Sequence, residues 1–146
     1  MANQEAQKMV KELFDEVFNK GNLNYLDQCI DKNVKFYDPS APNFRGGLQA
    51  FKQREQAYQR AFPNKQCTVD DIFTSDDKIV VRWTVKGVHG GDLPGIKKTG
   101  NKIEITGIMI LKTENNTITE IWQSWDRLGL LEQLGQVKPE PAAALS

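Results

Sequence analysis

The hydrophobic period changes once along this chain, at Pro63, and that change limits the folds open to it. Before Pro63, apolar residues recur at helical spacing. Ala6, Met9, Val10, Leu13, Phe14, Val17 and Phe18 form one stripe, and Gly21 stands where a C-terminal cap belongs. Asn22 can cap a second, short helix carrying Leu23, Leu26 and Ile30. Val34 to Tyr37 is a brief extended piece stopped by Asp38-Pro39, and residues 40–47 have the composition of a loop. Leu48, Phe51, Tyr58 and Phe62 mark a third helix. After Pro63 the pattern alternates, and residues 66–73, 78–88, 102–112 and 117–125 read as strands. Asp76-Asp77 and Asn115-Asn116 supply hairpin turns, and a last amphipathic turn from Leu128 to Leu134 ends at Gly135. Helices first and strands afterwards predict an α+β fold. Its curved antiparallel sheet is covered by about three helices, with an apolar cavity between the layers.

The 146 residues suit one domain, expected over 1–136, with 137–146 as a flexible tail. Lys plus Arg and Asp plus Glu are equal at 19 each, which gives no electrostatic footprint for nucleic acid or an anionic membrane. No apolar run approaches the length of about 20 residues that spans a bilayer. Cys29 and Cys67 have neither metal-ligand nor CxxC spacing, and the start shows no signal-peptide pattern. Both are expected to be reduced thiols in a cytoplasmic protein.

Chemistry-bearing residues gather in the second half. Ile118, Glu120, Trp122, Ser124 and Asp126 share one face by period two, so Asp126 is expected beside Trp122, with Trp122 as a pocket wall. A carboxyl against indole loses hydration and becomes a competent proton carrier. Asp126 also precedes Arg127-Leu128-Gly129, where Asp is a favoured helix N-cap, and both readings stay open. His89, the sole histidine, is either a hydrogen-bonding partner of that acid or an ordinary strand-end residue. With no second histidine, a metal site is not expected. Glu55, four residues past Phe51, is either a boundary residue or a pocket-lining group. Tyr37 and Tyr58 are candidate phenol donors. Large strand aromatics such as Trp83 and Trp125 are read as core first.

The order of elements resembles the cone-shaped fold of nuclear transport factor two, scytalone dehydratase and ketosteroid isomerase. Ala61-Phe62-Pro63-Asn64, Val80 through Thr84, Gly87 through Gly91, Thr99 through Lys102, Glu120 through Asp126 and Leu128 through Gly135 resemble the SnoaL-like polyketide cyclase family. The chain has Lys98-Thr99-Gly100 and Gly87-Val88-His89 where that family often has Pro-Thr-Gly and Gly-Thr-His. The resemblance implies a cofactor-free acid/base enzyme that closes a ring by intramolecular aldol condensation, or a related enolisation, on a small hydrophobic carbonyl compound. It gives the acid/base role to Asp126. His89 follows as partner, and Trp122, Tyr37, Tyr58, Phe51 and Glu55 as substrate-binding residues. The same scaffold hosts isomerases, dehydratases, hydrolases and non-catalytic binders of hydrophobic molecules. A homodimer or higher homo-oligomer is expected from the sheet face such a fold leaves open.

Overall fold

A computed structural model describes residues 3–141. The last five residues of the expected tail, 142–146, lie outside the described residues. Helix α1 (Asn3–Leu13) runs into a wider π-helical turn (Phe14–Asn19) that ends at Gly21, in the left-handed region with φ 78°. Ala6, Val10, Leu13, Phe14 and Val17 from the predicted stripe are buried. A short 3-10 turn (Leu23–Tyr25) leads to α2 (Leu26–Cys29) and β1 (Ile30–Tyr37). Helix α3 (Leu48–Ala61) follows the loop, then β2 (Gln66–Ser75), β3 (Lys78–Val88), β4 (Lys102–Glu114) and β5 (Thr117–Trp125), and α4 (Arg127–Gln133) closes the order.

The five strands form one curved, unclosed sheet in the order β1-β5-β4-β3-β2. Successive strands from β2 to β5 pair antiparallel, and β1 joins β5 in parallel at the far edge. Both predicted hairpin turns form. Asp76 has φ 55°, and Asn115 and Asn116 have φ 51° and 63°, so both central residues of the β4–β5 turn are left-handed. That is the primed turn that matches strand twist, and Asn tolerates it.

A register shift between Lys112 and Thr113 decides which face of β5 looks inward. Ile118 and Ile121 are both buried although three residues apart, because the bulge absorbs one residue. Beyond it the inner face carries Ile121, Gln123 and Trp125, and Trp122 falls on the outer face. Period two therefore holds only after the bulge. Among the described residues no helix is long and apolar enough to cross a membrane.

Candidate functional site

Between the helices and the concave sheet face lies a half-open cavity of about 130 Å³. Phe14, Phe18, Phe36, Phe51 and Phe62 give it an apolar lining from the helix side and β1. A cavity of about 150 Å³ lined by such side chains holds benzene, so this one has room for a ring-sized apolar group. Its floor is a cross-strand row. Trp83 on β3 stands opposite Gly107 on β4, which stands opposite Trp125 on β5. A Cβ on Gly107 would run into the Trp83 ring, so the missing side chain lets that indole lie across the sheet. The next row brings Met109 opposite Gln123, and both also line the cavity. Trp83 Nε1 and Gln123 Oε1 are buried with no hydrogen-bond partner among the described residues. Buried polar groups are ordinarily paired, so the wall holds one donor and one acceptor free for a guest.

Two buried ion pairs reach this wall, one through both partners and the other through its arginine. In the first, Glu55 on α3 faces Lys65, with Lys65 Nζ 2.7 Å from Glu55 Oε1. Both side chains are almost fully buried. The turn Phe62-Pro63-Asn64 carries Lys65 there: Asn64 takes a left-handed φ of 63°, which sends the chain back under the helix. The π-helical turn leaves the Phe18 carbonyl free of helix bonds, and Lys65 Nζ donates to it at 2.8 Å. Gln59 Nε2 donates to the Val17 carbonyl at 3.1 Å and to Glu55 Oε1 at 3.5 Å. Burial pushes the Glu55 carboxyl above its ordinary range, and the opposing pull of Lys65 and Gln59 offsets only part of this. Desolvation wins because almost no water reaches the group.

In the second pair, Arg54 Nη2 donates to Asp38 Oδ2 at 2.7 Å, and Trp125 Nε1 donates to the same oxygen at 3.0 Å. Asp38 Oδ1 accepts from the amide and hydroxyl of Ser40. The guanidinium lies over the Phe36, Phe44 and Tyr58 rings. Burial raises the Tyr58 phenol above its ordinary value, with Arg54 pulling the other way, so Tyr58 is a neutral donor at the cavity. Burial also pushes the Cys67 thiol up to about 11.

Of the residues the sequence singled out, Phe51, Glu55 and Tyr58 meet at the cavity. The others do not. Asp126 is exposed and caps α4: the Gly129 N–H donates to its Oδ1 at 2.8 Å. Gly129 makes this approach possible, since a Cβ there would run into the carboxylate. The expected Asp126–His89 pair does not form. His89 is fully buried, its Nδ1 accepts the Thr99 N–H at 3.1 Å, and its Nε2 is buried with no hydrogen-bond partner among the described residues. Its backbone ties off the 89–101 loop through Asn101 and Gly100. Trp122 and Tyr37 stack on each other with ring centres 5.7 Å apart, on the outer face and away from the cavity. The bulge explains Trp122. The end of β5 explains Asp126, which follows the last strand residue.

The residues sequence reasoning did not single out are Lys65, Arg54, Asp38 and Gln123. A lone Gly107 in an apolar strand, between two tryptophan-bearing strands, was the available signal for the cavity floor.

The sequence profile of the SnoaL-like polyketide cyclases matches residues 8–134. The chain belongs to the SnoaL-like polyketide cyclase family. Solved structures agree with that assignment. A proposed polyketide cyclase from Acidithiobacillus ferrooxidans is 28% identical, with a TM-score of 0.80 over 90% of this chain and 94% of that one. One from Bacillus cereus is also 28% identical, with a TM-score of 0.73 over 94% and 87%. AclR, a proposed hydroxylase from Streptomyces galilaeus, shares the fold at 20% identity, with a TM-score of 0.85 over 99% and 89%. A search of curated proteins finds no match. The structural neighbours are cone-shaped, and the curved sheet with its helices is the scaffold this SnoaL-like chain shares with them.

Proposed function

We propose that this SnoaL-like protein is an enzyme that takes a small apolar carbonyl compound into the cavity and moves a proton on its carbon skeleton. Intramolecular aldol condensation and related enolisations have this requirement. The reading rests chiefly on Glu55, a cavity-wall carboxyl raised above its ordinary range by burial and steadied by Lys65 at 2.7 Å. Such a group accepts an α-proton and returns it. The Tyr58 hydroxyl and Trp83 Nε1 are the fixed donors for the developing enolate oxygen, and Gln123 takes a hydrogen bond from a second substrate group. Enolate stabilisation by fixed donors calls for no redox group. Asp126 serves the fold as a cap. The family match and the 28%-identical proposed cyclases support the reaction class.

A second reading, a binding module for a hydrophobic molecule without chemistry, draws on the wall carboxylate Glu55 being ion-paired. Deuterium exchange at the α-carbons of small ketones, cyclohexanone first, separates the two. Wild type and Asp126→Asn are both expected to catalyse exchange, since Asn caps a helix as well as Asp does. Binding without exchange by the wild type would leave the module. Loss of exchange in Asp126→Asn alone would return the acid to that position.

The same reading includes a homodimer in the cytoplasm. Tyr37, Trp122, Ile110, Val80 and Phe73 form one apolar row across the outer face of the sheet, with Phe73 54% exposed. Sedimentation equilibrium is expected to give two copies, and a monomer at micromolar concentration would remove this part.

A further inference from the structure

The cavity wall holds a second reactive group that proton transfer by Glu55 leaves idle, the side-chain amine of Lys65. Lysines ordinarily keep Nζ in water, but this side chain is 8% exposed. Nζ lies 2.7 Å from Glu55 Oε1, 2.8 Å from the Phe18 carbonyl, 3.7 Å from Cys67 Sγ and 5.6 Å from the centre of the Phe18 ring. Phe18, Glu55 and Cys67 all line the cavity together with Lys65, so the amine stands at its wall. An amine in an apolar pocket is a strong nucleophile once it sheds its proton, and a carboxylate within hydrogen-bond distance is the acceptor for that proton.

Resting on the reading that the cavity admits a carbonyl compound, we propose that Lys65 attacks the carbonyl carbon and carries the substrate as a Schiff base. Glu55 first takes a proton from the ammonium. The Nζ lone pair then forms the C–N bond, and the carbonyl π pair moves to oxygen, which receives that proton back from Glu55. Glu55 next removes one proton from the bonded nitrogen and passes it to the hydroxyl. The C–O bond breaks, water leaves, and the nitrogen lone pair closes the C=N bond of an iminium ion. Removal of an α-proton by Glu55 gives an enamine, the carbon nucleophile that an aldol step needs. Water adds to the iminium after the reaction and returns Lys65. No oxidant or reductant takes part: two of the three ammonium protons leave with the water, and the proton Glu55 then takes comes from the α-carbon.

Cyclohexanone with sodium cyanoborohydride tests this in the native protein. Hydride adds to the iminium carbon, leaving a secondary amine whose mass gain is that of the ketone less its oxygen. Peptide mass mapping is expected to find the adduct at Lys65 ahead of every other lysine, with that preference lost in urea-unfolded protein. Lys65→Arg keeps the cation, cannot form an imine, and is expected to lose ketone exchange. Labelling spread evenly over lysines while wild-type exchange persists would overturn the Schiff base and leave Glu55 as acid/base. Full exchange by a folded Lys65→Arg variant would overturn it too. An adduct at Lys65 without any α-exchange would keep the nucleophile and remove the Glu55 proton step.

Discussion

Glu55→Gln is expected to lower turnover of a small enolisable ketone by about 10²–10⁴-fold, with binding in the cavity largely kept. Glutamine has nearly the shape of glutamate and keeps its place on the wall, but it cannot carry a proton. Lys65 retains the Phe18 carbonyl at 2.8 Å in that variant, and a neutral amide suits a site where burial already favours the neutral carboxyl, so it should fold. Turnover is therefore compared per folded molecule, after urea unfolding has shown the fraction folded. A fall confined to KM would mean that Glu55 only holds substrate. Unchanged kcat would remove it from the chemistry.

The pH profile carries the same claim with a defined sign. Glu55 acts as a base when ionised, so the wild-type rate should rise with pH through its raised value and then level. That limb should be missing from Glu55→Gln. Stability runs the other way. The folded protein holds the Glu55 proton more tightly than the unfolded chain does, so this group's contribution is present below the ordinary carboxylate range. It is lost as pH rises through the raised folded value. Across that window the wild type should lose stability relative to the Gln variant. The opposite slope would mean that Lys65, not burial, sets the carboxyl.

How far the sequence could be read depends on the range of the interaction. The strands, the two hairpins and the buried stripe of α1 were legible because each rests on neighbours a few residues away. Asn115-Asn116 announces its turn without help from the rest of the chain. Phe51, Glu55 and Tyr58 were legible for the same reason, as one face of one helix. Trp122 was misjudged because a period-two count started at Ile118 runs through a bulge, and nothing local to β5 marks it. Asp126 allowed two readings from its neighbours alone, and only the chain's path past Trp125 separates a cap from a wall residue. Lys65 looks like a solvated residue after a turn. Its burial depends on a carbonyl freed by a π-helical turn 47 residues earlier. No pattern of residue types encodes that meeting.

Asp38 is the extreme case, legible only as the stop of a strand, and its loss carries the largest stability effect expected here. Asp38→Ala should cost about 3–5 kcal/mol, the range for stripping one partner from a buried ion pair. Its side chain is 1% exposed and takes four hydrogen bonds, from Arg54, from Trp125 and from the amide and hydroxyl of Ser40. Alanine would leave the Arg54 guanidinium among the Phe36, Phe44 and Tyr58 rings with no counter-charge. Trp125 would keep only the Ser40 hydroxyl at 3.0 Å. Because Arg54 and Trp125 both line the cavity, ligand binding should weaken together with stability. Urea unfolding reads the cost as a lower midpoint at unchanged slope. Asp38→Asn should fall between, since it keeps one acceptor oxygen and loses the charge. A double change, Asp38→Leu with Arg54→Met, should recover much of the loss, because no unpaired charge then remains inside. If Asp38→Ala costs under about 1 kcal/mol, the pair behaves as a surface ion pair and the wall is held by ring packing alone.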